Sequence, residues 1–169
     1  MQTNITLILM ILGAALTRMI PHPPNATAVV AIGIFAGAQF DSRILAAFVP
    51  LAALFLSDLL IGFHDGMIWV YSAVAVITVA SSLILKADAK TGKVIATSFF
   101  GSLFFFLVTN FGVWMNGGMY SHDFNGLAQS YLMAIPFFGN QLMGDFFFSG
   151  VLFGGYALSR RFMPATFTR

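Results

Sequence analysis

The sequence predicts an all-α integral membrane protein with six transmembrane helices, and two features carry this prediction. Of the 169 residues, 59% are hydrophobic and only 8% are charged, and the mean hydropathy is +0.88. Soluble domains contain about 25% charged residues, so this composition does not supply a water-exposed surface. The apolar segments are about 15 to 22 residues long and lack strand-like alternation, which indicates spanning helices rather than outer-membrane strands.

The whole chain, residues 1–169, is predicted to form one transmembrane domain. The six predicted spans cover residues 4–20, 26–40, 44–62, 67–85, 94–115 and 141–159. The first of them has no basic residues before it and runs into Pro-His-Pro-Pro rather than a small-residue cleavage site. It is therefore interpreted as a mature helix and not as a signal peptide.

The second predicted span is short and contains Gly33 and Gly37, a G-x-x-x-G spacing that permits close packing of helices. Before the last span lies the segment 126–140, whose apolar part is about a dozen residues, too short for a bilayer of roughly 30 Å. Pro136 also interrupts it. We therefore expect a short interfacial helix between the fifth and sixth spans.

The distribution of basic residues predicts the orientation of these spans. If both termini are cytoplasmic, the internal side holds Arg43, Lys86, Lys90, Lys93, Arg160, Arg161 and Arg169. The external side then holds only Arg18, at the end of the first span. Such an excess is the positive-inside pattern of bacterial inner-membrane proteins. The net charge of +2 therefore reports topology and does not indicate nucleic-acid binding.

With this topology, one histidine falls in each external connection: His22, His64 and His122. Polar residues inside the spans are expected about five residues below the external helix ends, roughly 7 Å deep. These residues are Asp58, Asn110 and Asp145, and Arg18 is only slightly shallower. Ionisable groups at such depth cost about 3 kcal/mol each, so they are expected to face the bundle interior. We interpret them as the polar base of an external cavity. A competing interpretation is that Arg18 neutralises one aspartate and only holds helices together.

The segment Pro21-His22-Pro23-Pro24-Asn25 is predicted to be a rigid extended turn at the edge of this cavity. Proline fixes φ near −65° and pushes the preceding residue towards extended geometry. A rigid loop loses less entropy when it binds a ligand, so this segment suits recognition. The prolines also fit a simpler role in ending one helix and starting the next.

Composition narrows the chemistry. The chain has no cysteine and no glutamate, and it lacks G-x-S-x-G, H-E-x-x-H and P-loop motifs, so no enzyme activity and no resident cofactor are predicted. Joint metal binding by His22, His64 and His122 is an alternative, because imidazole is a common metal ligand. No pair of these histidines has the i, i+3 or i, i+4 spacing of a preformed helical site.

The motifs R-M-I-P-H-P-P-N-A-T, LSDLLIGFH, FLVTNFGVW with GGMY, and GDFFF resemble a family of uncharacterised bacterial inner-membrane proteins. That family in turn resembles the S-components of energy-coupling factor (ECF) transporters, six-helix membrane proteins that bind vitamins at their external helix ends. The resemblance implies a coupling protein and two ATPases on other chains as partners. S-components usually carry Ala-x-x-x-Ala in the first helix for docking, and here the nearest equivalent is Gly13 with Thr17.

We therefore predict a substrate-binding subunit of the bacterial inner membrane for uptake of a small nutrient. The resemblance points to a vitamin or vitamin precursor, with a cobalamin-type compound among the options. Arg18, Asp58, Asn110 and Asp145 would form the base of the site. Its rim would be formed by His22, Asn25, His64, Tyr71, Trp114, Tyr120 and His122. The alternatives are a divalent-metal or proton-coupled carrier and a membrane assembly subunit that transports nothing.

Overall fold

The computed structural model describes residues 2–162 and the side chains of residues 4–161; Arg169, used above for the charge count, lies outside this range. The described part is helical and contains no strand. Its elements are α1 (Gln2–Leu16), a 3-10 helix (Thr17–Met19), α2 (Val29–Gln39), α3 (Arg43–Ile61), α4 (Met67–Ile84), α5 (Thr91–Asn116) and α6 (Phe124–Phe162).

Four of these helices, α3 to α6, are long and apolar enough to cross a membrane. Large apolar side chains cover their outward faces, and Ile44, Phe48 and Ile68 are each more than 60% exposed. Contiguous apolar surface on this scale is costly in water and suits a lipid environment. The fold class is thus confirmed as all-helical and consistent with a membrane protein, while the count of six spans stays a prediction.

The second predicted span differs most from expectation. It was predicted over residues 26–40, but α2 covers only Val29–Gln39. Eleven helical residues rise about 16 Å, roughly half the hydrocarbon thickness of a bilayer. Every residue of α2 is buried by neighbouring helices. The short helix is therefore an internal element of the bundle, which the apolar pattern alone does not distinguish from a span.

Close packing between α2 and α4 depends on the two glycines of α2. A Cβ atom on Gly33 would lie 2.9 Å from Thr78 Oγ1, and one on Gly37 would overlap the Thr78 carbonyl oxygen. Backbone thus meets backbone at Gly37, which only a residue without a side chain allows. The predicted role of the G-x-x-x-G pair in helix packing is confirmed.

The expected interfacial helix is not a separate element, and this prediction is wrong. Residues 124–162 form one helix of 39 residues, about 58 Å long, with Pro136 inside it. A proline in a helix removes one hydrogen bond, but contacts with α5 hold the segment in place. Tyr131 Oη donates to the Leu107 carbonyl oxygen at 2.9 Å, and the rings of Phe106 and Phe138 lie 4.9 Å apart. These tertiary contacts outweigh the local break.

The helices meet at two ends of the bundle. At one end α1, α3 and α5 finish, and we call it the histidine end because His22, His64 and His122 lie in its connections. At the other end α4 finishes and α5 begins, and we call it the lysine end because Lys86, Lys90 and Lys93 lie there. The side chain of Gln39 donates to the Ala87 carbonyl oxygen at 3.4 Å, which places the end of α2 at the lysine end.

Asp123 caps the first turn of α6. Its Oδ1 accepts a hydrogen bond from the Gly126 backbone N–H at 2.8 Å and from Ser121 Oγ at 3.0 Å. The Gly126 N–H, followed by the Ser121 hydroxyl, holds the pKa of Asp123 below its usual value of 3.8. Because the folded-state pKa is depressed, the stabilisation is present above the unfolded-state pKa and is lost as pH falls through the folded-state value.

We expect Asp123→Ala to speed amide hydrogen exchange in the first turn of α6 at neutral pH, because the cap no longer satisfies the Gly126 N–H. In the wild type, protection relative to the intrinsic exchange rate should fall only below about pH 4. Asp65→Ala, at another exposed loop aspartate, is the control and should leave α6 unchanged. Equal protection of Gly126 in the Asp123 variant and the wild type would contradict the cap.

Candidate functional site

A cavity of about 400 Å³ opens at the histidine end. Elements far apart in sequence form its walls, from the 3-10 helix to the middle of α6. Its polar lining residues are Arg18, His22, Asn25, Thr27, Thr109, Asn110, Gln141 and Asp145. Its apolar lining residues are Val29, Val30, Ile61, Val70, Phe105 and Val113.

The late start of α2 creates this cavity. Its first residues, Val29 and Val30, line the cavity, and the N-cap Ala28 has no side chain that can close the helix end. The connection before α2 packs closely on α6, since a Cβ on Gly144 would stand 3.0 Å from Ala26. A spanning helix would have filled this space with its own first turns.

The proline segment takes a turn at the cavity edge. The Ala26 backbone N–H donates to the Pro23 carbonyl oxygen at 3.0 Å, and Asn25 has a φ of 65°. A turn with proline at its second position and positive φ at its third favours asparagine or glycine there. Asn25 is therefore in the left-handed region rather than extended, which corrects the predicted conformation. His22 and Asn25 both line the cavity.

Arg18 belongs to a buried cluster beside the cavity. Its Nη1 lies 2.6 Å from Asp58 Oδ1 and donates to Ser57 Oγ at 2.5 Å. Tyr71 Oη donates to the other carboxylate oxygen of Asp58 at 2.7 Å. The side chain of Asp58 is 1% exposed and that of Arg18 is 13% exposed. Arg18 therefore reaches the cavity wall, whereas Asp58 and Tyr71 lie behind it.

Asp145 lies deeper, between α5 and α6. Its Oδ2 accepts from Ser102 Oγ at 2.6 Å, and Gln141 Nε2 donates to the Ser102 carbonyl oxygen at 2.8 Å. The backbone N–H of Val30, in the first turn of α2, also faces the carboxyl group. Both Asp145 and Gln141 are buried within the bundle and line the base of the cavity.

The polar residues lie at two depths in the bundle and not in the single layer predicted from the sequence. Asp145 contacts Ser102, two helical turns along α5 from Asn110, a separation of about 12 Å along the helix axis. The depth of Asp145 was counted from a helix start near Gln141, but α6 begins at Phe124. Asp145 is therefore near the middle of the α5–α6 pair, and Asn110 is nearer the histidine end.

Five of the eleven predicted site residues line the cavity: Arg18, His22, Asn25, Asn110 and Asp145. Asp58 and Tyr71 support it through Arg18. Four others do not line it: His64, Trp114, Tyr120 and His122. Trp114 instead donates from Nε1 to the Ser121 carbonyl oxygen at 2.9 Å, and its ring lies 5.7 Å from that of His122.

The three histidines do not come together as metal ligands. Within the described chain, no group of three histidine or acidic side chains is placed to hold a metal ion. His22 lines the cavity, while His64 and His122 lie in other connections. The arrangement instead offers one cation, one carboxyl group, three amides and an imidazole to an organic ligand.

Sequence reasoning missed three polar lining residues, namely Thr27, Thr109 and Gln141. A signal for Gln141 is present: it precedes Asp145 by four residues, so both lie on one face of a helix. Ser98 and Ser102 repeat that spacing on α5, as does Ser149 after Asp145 on α6. Treating these as paired polar stripes predicts the α5–α6 contact, whereas counting single residues does not.

Comparison with known proteins places the chain in a family without assigning a function. A family model described as a family of unknown function (DUF6580) matches residues 1–166. No curated protein and no solved structure matches the chain. Because the family match extends over nearly its whole length, the chain belongs to the DUF6580 family.

Proposed function

We propose that this protein is a substrate-binding subunit of the bacterial inner membrane that takes up a small nutrient. The observation that carries the proposal is the cavity at the histidine end, about 400 Å³ in volume, which combines apolar walls with a few converging polar groups. Small-molecule sites typically have volumes of about 300–1,000 Å³ and this kind of lining. Five residues predicted from sequence for such a site lie around it.

The charge distribution supports an external opening for the cavity. The lysine end carries a basic cluster of Arg43, Lys86, Lys90, Lys93, Arg160 and Arg161. Within the described chain, Arg18 is the one lysine or arginine at the histidine end, and Asp58 neutralises its charge. Under the positive-inside rule the lysine end faces the cytoplasm, so the cavity takes its ligand from outside. Because α1 begins and α6 ends at the lysine end, this orientation also implies a cytoplasmic start of α1 and a cytoplasmic end of α6.

The dimensions of the cavity favour a compact ligand. A vitamin precursor or a vitamin with a single ring system fits a volume of about 400 Å³. A complete corrinoid, with its macrocycle and nucleotide tail, is larger than this space. The amide of Asn110 and the guanidinium of Arg18 would bind polar substituents, and Phe105, Val70 and Val113 would pack on the apolar part.

An S-component-like bundle working with a coupling protein and ATPases remains part of the proposal through the sequence resemblance. Gly13 and Thr17 stand where a docking Ala-x-x-x-Ala motif would be expected. Gly13 has open space beside it, so its face of α1 can accept a partner helix. A metal carrier gains no support, because the histidines are apart. An assembly subunit is favoured only by the Arg18–Asp58 pair, which holds helices together.

Filling the cavity should remove a bound nutrient. We expect Val113→Trp and Asn110→Leu to reduce the small molecule that co-purifies with the wild type by about tenfold or more, equivalent to about 1.4 kcal/mol of binding free energy. Both side chains line the cavity. Mass spectrometry of extracts from protein purified in lipid nanodiscs measures the bound fraction.

Two matched substitutions serve as controls. Val79→Trp alters an exposed valine on α4, and Asn116→Leu alters an exposed asparagine at the end of α5, and neither lines the cavity. Both should retain the ligand at the wild-type level. If the cavity variants keep the same small molecules as these controls, or if the folded wild type carries none, the nutrient-binding proposal is wrong.

A further inference from the structure

A second, larger cavity lies at the lysine end of α5 and α6. Its volume is about 790 Å³, and it is bordered by the end of α2, the start of α5 and the last turns of α6. Ser98 and Ser149 line it, together with Gln39, Asp88 and Arg160. Gln39 is buried, and its Oε1 has no hydrogen-bond partner within the described chain. Most of its lining is apolar, but these polar side chains offer partners for water molecules that would satisfy such a group.

A polar seam between α5 and α6, formed by Ser98, Ser102, Asp145 and Ser149, separates the two cavities. Asp145 lines the histidine-end cavity and bonds to Ser102. One helical turn further on, Ser98 Oγ lies 3.0 Å from Ser149 Oγ, and both line the lysine-end cavity. All four side chains are buried. One turn of helix, about 5.4 Å, therefore spans the partition between the cavities.

The hydrogen bonds at Ser102 can accommodate a proton on Asp145. Ser102 Oγ lies 2.6 Å from Asp145 Oδ2 and 2.8 Å from the Ser98 carbonyl oxygen. A hydroxyl group donates one proton, so Ser102 can donate to only one of these two acceptors at a time. When Asp145 is protonated, its O–H donates to Ser102 Oγ while Ser102 donates to the Ser98 carbonyl oxygen. The carboxyl group can accept a hydrogen bond from the Val30 backbone N–H in either protonation state.

The charges around Asp145 agree with a neutral carboxyl group. Within the described chain Asp145 makes no ion pair, whereas Asp58 has Arg18 at 2.6 Å. The titratable and charged groups that share its cavity are Arg18, already paired, and His22, exposed in the proline segment. Its hydrogen-bond partners are the Ser102 hydroxyl, the Gln141 side chain and the Val30 backbone N–H, so it has neutral donors and no cation beside it. A buried carboxylate without a cation is costly, so a proton takes the place of the missing partner.

We propose that the seam is a proton path and that Asp145 is its proton-binding site. The carboxylate takes one proton from water in the histidine-end cavity. It releases that proton to water in the lysine-end cavity when the Asp145 side chain rotates towards Ser149, which lies one helical turn away on α6. No other group is changed. The path itself is independent of any nutrient; its coupling to uptake rests on the proposed function and would drive import with a proton gradient.

Infrared spectroscopy tests the binding site directly. Wild-type protein in lipid nanodiscs at neutral pH should show the carbonyl stretching band of a protonated carboxylic acid. Asp145→Asn should remove this band, while Asp65→Asn, at an exposed loop aspartate, should leave it unchanged. A band of unchanged intensity in Asp145→Asn, or no such band in the wild type, would show that Asp145 is ionised and would overturn the proposal.

Proton flux tests the path. Proteoliposomes that contain a pH-sensitive dye and carry an imposed potassium diffusion potential should take up protons through the wild type. Asp145→Asn should reduce the rate to that of protein-free liposomes. Ser149→Ala should reduce it about tenfold, as expected when a lost hydrogen bond raises the barrier by about 1.4 kcal/mol. Ser130→Ala removes an equally buried serine of α6 that lines neither cavity, and should have no effect.

These outcomes are separable from those of the nutrient test. Equal flux through the wild type and Asp145→Asn overturns the proton path, whatever co-purifies with the protein. Equal effects of Ser149→Ala and Ser130→Ala exclude the Ser98–Ser149 side of the seam as the exit and overturn the path as drawn. Loss of the ligand in the Val113 and Asn110 variants with unchanged proton flux leaves the path intact and supports the nutrient site alone.

Discussion

Replacing Arg18 with methionine should lower the free energy of unfolding by about 3–5 kcal/mol, the usual cost of leaving one member of a buried ion pair alone. Methionine keeps most of the length of arginine but removes its charge. Asp58, 1% exposed, then loses the cation at 2.6 Å and keeps only the Tyr71 hydroxyl as its partner. Ser57 loses a hydrogen bond at the same time. Equilibrium unfolding in mixed detergent micelles measures the change.

The double variant Arg18→Met/Asp58→Asn is the informative comparison. Removing both charges should recover most of the lost stability, because a neutral pair has no uncompensated buried charge. Arg160→Met, at an exposed arginine of α6, is the control and should change stability by less than about 1 kcal/mol. If Arg18→Met costs no more than Arg160→Met, the pair behaves as a surface ion pair and does not hold the helices together.

Replacing Gly37 with alanine should lower the free energy of unfolding by about 3 kcal/mol, at the upper end of the cost of overpacking. The added Cβ would overlap the Thr78 carbonyl oxygen and stand 2.9 Å from Ser81 Cβ and 3.0 Å from the Ser82 nitrogen. These obstacles include backbone atoms of α4, which cannot move aside as a flexible side chain can. The helices must separate along their whole contact to admit one methyl group.

Gly139→Ala provides the matched control within the same chain. Gly139 lies inside α6, and a Cβ there meets nothing within 4 Å. Alanine should therefore stabilise the helix by up to about 1 kcal/mol through its better helix propensity. Thermal unfolding of the purified variants compares the two substitutions. A Gly37 variant as stable as the Gly139 variant would mean that α2 and α4 are not in close contact.

Much of the fold follows from hydrophobic length. The predicted spans 44–62, 67–85 and 94–115 correspond to α3, α4 and α5 with ends shifted by at most three residues. The length of the apolar segments did not predict the bounds of α2 and α6, because contacts with other helices determine them. For α2 the surrounding protein replaces lipid as the apolar environment, so a helix of 11 residues suffices. For α6 the contacts of Tyr131 and Phe138 with α5 carry the helix through Pro136.

The positions of site residues were predictable from the sequence when those residues lie near helix ends, and not when they lie in or beside loops. Arg18 and Asn110 lie on helical elements near the histidine end, so topology alone placed them on one cavity. The connection after α5 follows its own contacts, and Trp114 turns to the Ser121 carbonyl instead of the cavity. Asp145 was predicted as a lining residue, but its depth depended on where α6 begins, which local sequence did not reveal.

The complete enclosure of α2 affects how a newly made chain reaches its final form. A segment of 11 residues wrapped on all sides by its neighbours offers no surface for lipid to stabilise. Its burial depends on α4 and α6, which are synthesised later. The α2 segment is thus synthesised before its packing partners α4 and α6. It can reach its buried position only after these longer helices have entered the bilayer and packed around it. Assembly of the protein is therefore expected to proceed from its periphery inward.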